Sequence, residues 1–141
     1  MPARAIHAAT SFAIASALIA ASPAGACAGD EVVPMVGMDG PETDACPALG
    51  KVSAIDEKRK KTTPVRITAS TSATIKVELA PATLVWLCEA KGEWQGIVYP
   101  VGEFQDIGDC RVGSPIAEPQ HYVGPCAYGW MEARSIQLVA G

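Results

Sequence analysis

The chain has 141 residues, a formal net charge of −4 and 49% hydrophobic side chains. An acidic balance excludes nucleic acid as a partner, because phosphates demand a basic face. The length suits one domain with a modest core.

Residues 1–28 read as a signal peptide. Arg4 and the amino terminus give a positive n-region, the run from Phe12 to Ala21 is apolar and uncharged, and Ser22-Pro23 breaks any helix. Ala24-Gly25-Ala26 and Ala26-Cys27-Ala28 both place small residues where a signal peptidase cuts. The uncharged run is rich in Ala, Ser and Thr, which makes it a poor membrane anchor, so no membrane span is expected after signal removal. A third reading makes Cys27 a lipidated N-terminus; Ala24, three residues earlier, stands where lipoprotein signals place a larger aliphatic. About 113 residues then remain, with ten Lys and Arg (eleven less Arg4) against fifteen Asp and Glu, a charge of −5.

Residues 29–45 mix Gly, Pro and acids without a period and are expected to form a flexible or disordered lead-in. From Cys46 the texture changes to short β-type runs. GKVSAI (50–55) precedes the charged stretch DEKRKK (56–61), which reads as a solvated hairpin loop. VRITAS (65–70) and the alternating IKVEL (75–79) follow, then TLVWLCE (83–89), a KGE turn (91–93) and WQGIVYP (94–100). GWMEARSIQLV (129–139) closes the chain. Five or six short strands at about ten-residue spacing, with no sustained helical period, predict an all-β domain over 46–141, a small barrel or sandwich.

An exported chain meets an oxidising environment, where thiols pair. Cutting after Ala28 leaves Cys46, Cys88, Cys110 and Cys126, which allow three connectivities. We favour Cys46–Cys88 with Cys110–Cys126. The second pair brackets a Gly/Pro-rich segment with little means of ordering itself, and closing a loop of that size contributes ~3 kcal/mol in the chain-entropy model. A zinc site from Cys110, Cys126 and His121 lacks a fourth ligand and a Cys-x-x-Cys pair.

The order of motifs resembles the bacterial SH3-like (SH3b-type) domain. Val65-Arg66, Leu84-Val85-Trp86-Leu87, Gly92-Glu93-Trp94 before Ile97-Val98, and Gly129-Trp130-Met131 carry the resemblance over residues 46–141. It departs from the family at Ile67–Ala73, where an aromatic is missing, and at Pro81-Ala82, where the family has Gly. The resemblance implies a small SH3-like β-barrel of five to six strands in a disulfide-bearing exported variant. It also implies a non-catalytic binding module, periplasmic or secreted, whose partner is a cell-wall peptide or an envelope protein.

Catalysis has weak support. His121 is the single histidine after the leader and sits in the Pro-rich excursion; the pairs Asp106/Asp109 and Glu89/Glu93 have no evident pocket to separate their pKa values. No phosphate-cradling glycine loop appears, and no cofactor is expected. Among the aromatics, Trp130 is expected in the core, whereas Trp94, Tyr99 and Tyr122 are the candidates for a ligand platform. The alternative is a structural or inhibitory envelope protein, or a lipoprotein, without a small ligand.

Overall fold

The computed structural model describes residues 29–53 and 61–141. The leader with its alternative lipidation site Cys27, and all but Lys61 of the charged stretch, lie outside the described residues. Among the described residues nine strands follow in order: β1 (Met35–Val36), β2 (Ala48–Val52), β3 (Thr63–Arg66), β4 (Ile75–Leu79), β5 (Leu84–Lys91), β6 (Trp94–Tyr99), β7 (Gln120–His121), β8 (Ala127–Glu132) and β9 (Ile136–Ala140). The architecture is all-β, and β4 and β6 begin at the residues the alternation and turn signals indicate. The closing run departs from expectation. It is two strands, β8 and β9, split by a 3-10 turn at Ala133–Ser135.

Seven strands form one antiparallel sheet in the order β4-β3-β8-β6-β5-β2-β9, and β1 pairs with β7 in a separate ribbon. Among the described residues this sheet is open, ending at β4 and β9, so the expected closed barrel is not found. β3 meets β8 through one residue pair, Arg66 and Trp130, so the β3–β4 hairpin is an arm on the sheet. Its outer strand exposes Ile75 through Glu78, and Lys76 and Glu78 blunt the edge against further pairing. The strands on either side of the charged stretch, β2 and β3, are not neighbours in the sheet.

Alternation along β5 sends Val85 to one face and Trp86 to the other, and both faces are covered. The first core holds Val52, Val65, Leu79, Val85, Ile97, Tyr99 and Met131. The second gathers Val98, Val36, Val112, Tyr122, Cys46, Cys88, Cys110 and Cys126, with Trp86 and Tyr128 packed against them. Burying an aliphatic side chain contributes roughly 1.5–3 kcal/mol, so each face is a substantial source of stability.

The second core corrects the reading of residues 29–45 as a disordered lead-in. Val36 and Ala45 are buried, and the segment crosses the sheet on hydrogen bonds of low periodicity. Val32 N–H donates to Ile67 O (2.9 Å), Met35 N–H to Glu89 Oε2 (2.8 Å), and the Trp130 indole N–H to Val32 O (2.8 Å). Tyr122 N–H donates to Pro34 O (3.0 Å), while Ala45 and Cys46 N–H reach Ser114 O and Val112 O (both 2.9 Å). The lead-in and the excursion between β6 and β8 therefore form one irregular layer. Two disulfides hold it: Cys46–Cys88 ties the end of the lead-in to β5, and Cys110–Cys126 closes the excursion, the pairing favoured from sequence.

Gly96 is where the layer touches the sheet most closely. A Cβ there would fall 2.8 Å from Pro34 Cβ and 3.3 Å from Glu89 O. Gly96→Ala is expected to lift the lead-in and to destabilise the domain by about 1–3 kcal/mol, the range for overpacking. A denaturant midpoint lowered accordingly, with disulfides intact by mass, checks this; an unchanged midpoint would show that the lead-in is not seated on β6.

Candidate binding groove

Trp94 opens β6 and pairs across the sheet with Glu132, the last residue of β8. The turn before it is made by Gly92 at φ 60°, which favours glycine. The turn is fixed to the far side of the site because Ala133 N–H donates to Glu93 O (2.8 Å). A cavity of about 330 Å³ lies there, lined by Thr71, Glu93, Trp94, Glu132, Ala133 and Arg134. A smaller one of about 100 Å³ is lined by Thr63, Pro64, Arg66, Trp94, Glu132 and Ser135. Trp94 and Glu132 belong to both, so the two cavities are parts of one groove.

The charges of the groove are partly engaged. Arg134 Nε donates to Glu132 Oε2 (2.6 Å), and this hydrogen bond and charge, with Glu93 beyond, raise the guanidinium pKa further. Arg66 Nη1 donates to Ala73 O (2.6 Å), bracing the β3–β4 hairpin. Thr63 is 2% exposed, and its Oγ1 is buried without a hydrogen-bond partner among the described residues. Leaving such a hydroxyl unpaired costs about 1–3 kcal/mol.

The three tryptophans differ in what their indole N–H groups do. Trp86 Nε1 donates to Ile107 O and Trp130 Nε1 to Val32 O (both 2.8 Å), so both rings are tied to the covering layer. Trp94 Nε1 has no partner among the described residues, and its ring is half-buried in the groove. A flat apolar ring with a free donor is what a ligand platform needs.

The other two platform candidates are corrected. Tyr99 is 3% exposed, inside the first core, because its position in β6 faces Val85 and Met131. Burial, with a smaller effect from the Glu31 charge, pushes its phenol pKa up to about 12. Tyr122 is buried in the second core, where its hydroxyl donates to Cys110 O (3.1 Å) and accepts from Cys126 N–H (3.0 Å). It bridges the same two residues as the disulfide. The structure does not bring Tyr99 or Tyr122 to Trp94.

The groove residues missed from sequence are Thr63, Arg66, Glu93, Glu132 and Arg134. Arg66 and Glu93 stood within recognised motifs, but their approach to Trp94 and Glu132 depends on β8 lying between β3 and β6. The carboxylate pairs have local duties. Asp106 accepts from Gly108 N–H and Asp109 from Asp106 N–H, capping the 3-10 helix Ile107–Cys110. Glu89 holds the Met35 N–H. His121 Nδ1 lies 2.9 Å from Val33 O, and since a carbonyl only accepts, this nitrogen carries the proton. Among the described residues no cluster of His, Cys, Asp and Glu could hold a metal ion, and the zinc alternative fails because Cys110 and Cys126 are bonded to each other. No helix among the described residues is long and apolar enough to cross a membrane. No protein-family model, no curated protein and no solved structure matches the chain.

Tyr122→Phe is expected to leave a buried N–H and carbonyl unpaired and to lower stability by about 1–3 kcal/mol, read from denaturant unfolding. No loss would mean the phenol is not the second clamp of the excursion. Alkaline pH offers a separate check on Tyr99. Its folded pKa lies above its usual value of 10, so its contribution is fully present below pH 10 and is lost as pH rises toward 12. Unfolding free energy is expected to fall across that window, and Tyr99→Phe to flatten the fall; an identical slope in the variant would contradict its burial as a neutral phenol.

Proposed function

We propose that the chain is an exported, non-catalytic SH3-like binding module of the bacterial cell envelope, periplasmic or secreted, with its ligand site at Trp94. The observation that carries the reading is the half-buried Trp94 ring with an unpartnered indole N–H in a groove, while the other two indoles are tied internally. Two disulfides fit an oxidising compartment and so support export. The SH3-like reading is supported by the order of elements: the β5-β6-β8 meander, the single 3-10 turn after β8, and the return of β9 to pair with β2. The non-catalytic reading is supported by the engagement of His121, the cysteines and the Asp pair in structural roles. A cell-wall peptide is the ligand we favour, because a mostly apolar groove with a tryptophan ring and a few charged side chains, Glu93, Glu132 and Arg134, accepts an extended chain with polar groups.

A second reading, a structural or inhibitory envelope protein without a small ligand, draws on the excursion. Residues 113–115 and 117–121 are exposed there, and Val123 is 83% exposed at its base, a surface that suits contact with another protein.

Co-sedimentation with purified sacculi separates the two. Retention of the wild type, its loss in Trp94→Ala and its persistence in Val123→Ser are the expected outcomes. Retention unaffected by Trp94→Ala would remove the groove as the site, and sensitivity to Val123→Ser alone would favour the second reading.

A further inference from the structure

Strand β9 is one of the two free edges of the sheet: among the described residues it pairs with β2 on one side and with no strand on the other. The two edges are built differently. β4 carries Lys76 and Glu78, and both are fixed in place, Lys76 by Glu31 and Tyr128 O, Glu78 by the Thr62 hydroxyl. β9, with the sequence IQLVA, has no charge and no proline. Its aliphatic side chains stand out on both faces, Leu138 at 62% exposure and Val139 at 50%. Leu138 is bare for a local reason. It lies opposite Gly50, and Ile136 fills the space that a Cβ on Gly50 would need, so β2 offers Leu138 no side chain to pack on. An unpaired, uncharged aliphatic edge is a template for a further strand, and sheets that remain alone blunt theirs.

The surroundings of β9 differ in charge from end to end. Its last residue, Ala140, pairs with Leu49, where the lead-in arrives. Residues 38–50 hold Asp39, Glu42 and Asp44 and no Lys or Arg, and Asp39 lines a cavity with Pro47 and Ala48. The first residue of β9 follows the turn that carries Arg134, whose side chain is 83% exposed. Glu132 engages only the Arg134 Nε, and the guanidinium keeps its other N–H donors for a second carboxylate.

We infer that β9 pairs antiparallel with β9 of a second copy of the chain. The register that pairs all five residues sets the two Leu138 side chains together on the two-fold axis, with Ile136 opposite Ala140. It also brings the Arg134 end of each copy to the Asp39–Asp44 end of the other, so the charges match twice by symmetry. Each copy uses its β9 once, and association stops at two. Pairing β9 with β4 of the next copy would instead run on into a filament, and the anchored Lys76 and Glu78 oppose it. A five-residue strand pair falls short of the ~1,200–2,000 Å² buried in stable complexes, so the dimer is weak and depends on concentration. It does not depend on a ligand at Trp94.

Sedimentation velocity of the full exported chain, from micromolar to millimolar concentration, tests this. A monomer–dimer equilibrium is expected. Leu138→Lys, and separately Val139→Lys on the opposite face, are expected to weaken it at least about tenfold. Both side chains are exposed, so the unfolding midpoints of these variants should stay at the wild-type value. Arg134→Glu is expected to weaken the dimer less, and added salt to weaken the wild type through the same charges. A monomer at every concentration overturns the inference, and so does a dimer that both lysine variants keep or that Val77→Lys on β4 abolishes. A dimer that Arg134→Glu strengthens overturns the antiparallel register.

Discussion

Strand β6 lies in the middle of the seven-stranded sheet with Gly96, Ile97, Val98 and Tyr99 all buried, so both faces of the sheet must be covered. Apart from the short β1–β7 ribbon, the described residues build no second sheet, and irregular chain covers one of the two faces. Such chain carries unpaired backbone groups and a large conformational entropy, at about 1–2 kcal/mol per ordered residue. The lead-in and the excursion meet the first demand by bonding to each other and to Glu89, Trp130 and Tyr122. They meet the second through the two disulfides, which lower the entropy of the unfolded chain. Both disulfides lie in this layer, where constraint is most needed.

The same constraint explains why the groove is where it is. Covering the sheet fixes Trp86 through Ile107 O and Trp130 through Val32 O and removes Tyr122 from the surface, while Tyr99 is buried on the other face, in the first core. Trp94 stands at the end of β6, beside the end of β8, and the 3-10 turn after Glu132 turns the chain away there. The site is formed by a turn, a strand end and a hairpin: Ala133 N–H to Glu93 O ties the turn to the end of β8, and the Arg66 guanidinium donating to Ala73 O braces the hairpin. Rigid placement without full burial suits recognition, because little side-chain freedom is left to lose on binding.

Much of the sheet was legible because alternation is a local signal. Ile75–Leu79 and Trp94–Tyr99 announce their strands through side chains two apart, and the cysteine pairing followed from which segments needed closing. The covering layer was not legible for a physical reason. Val32, Pro34, Val36 and Ala45 have no period, since the segment meets the sheet at single points set by Gly96, Glu89 and Trp130, all distant in sequence. Barrel closure was misjudged for a related reason. Strand count is visible locally, whereas closure depends on whether β4 finds β9, and the exposed Lys76 and Glu78 at that edge speak against pairing. The groove was half legible: Trp94 stood out as a ring just after a turn, but Arg66 and Glu132 join it only through the order of strands.

The aromatics show what decides between brace and platform. Position in the chain left Trp94, Tyr99 and Tyr122 equivalent, each near a turn or loop. Their polar atoms and surroundings separate them. In an irregular layer short of backbone partners, a phenol that accepts from Cys126 N–H and donates to Cys110 O does the work of two ladder bonds, so Tyr122 is drawn inward. Tyr99 follows the pleat of β6 into the first core, where its neutral form is favoured. Trp94 is offered no backbone carbonyl among the described residues, because the covering layer does not supply one at the end of β6 as it does for Trp86 and Trp130. The layer that makes the fold possible therefore also selects the binding ring, as the indole it leaves unsatisfied.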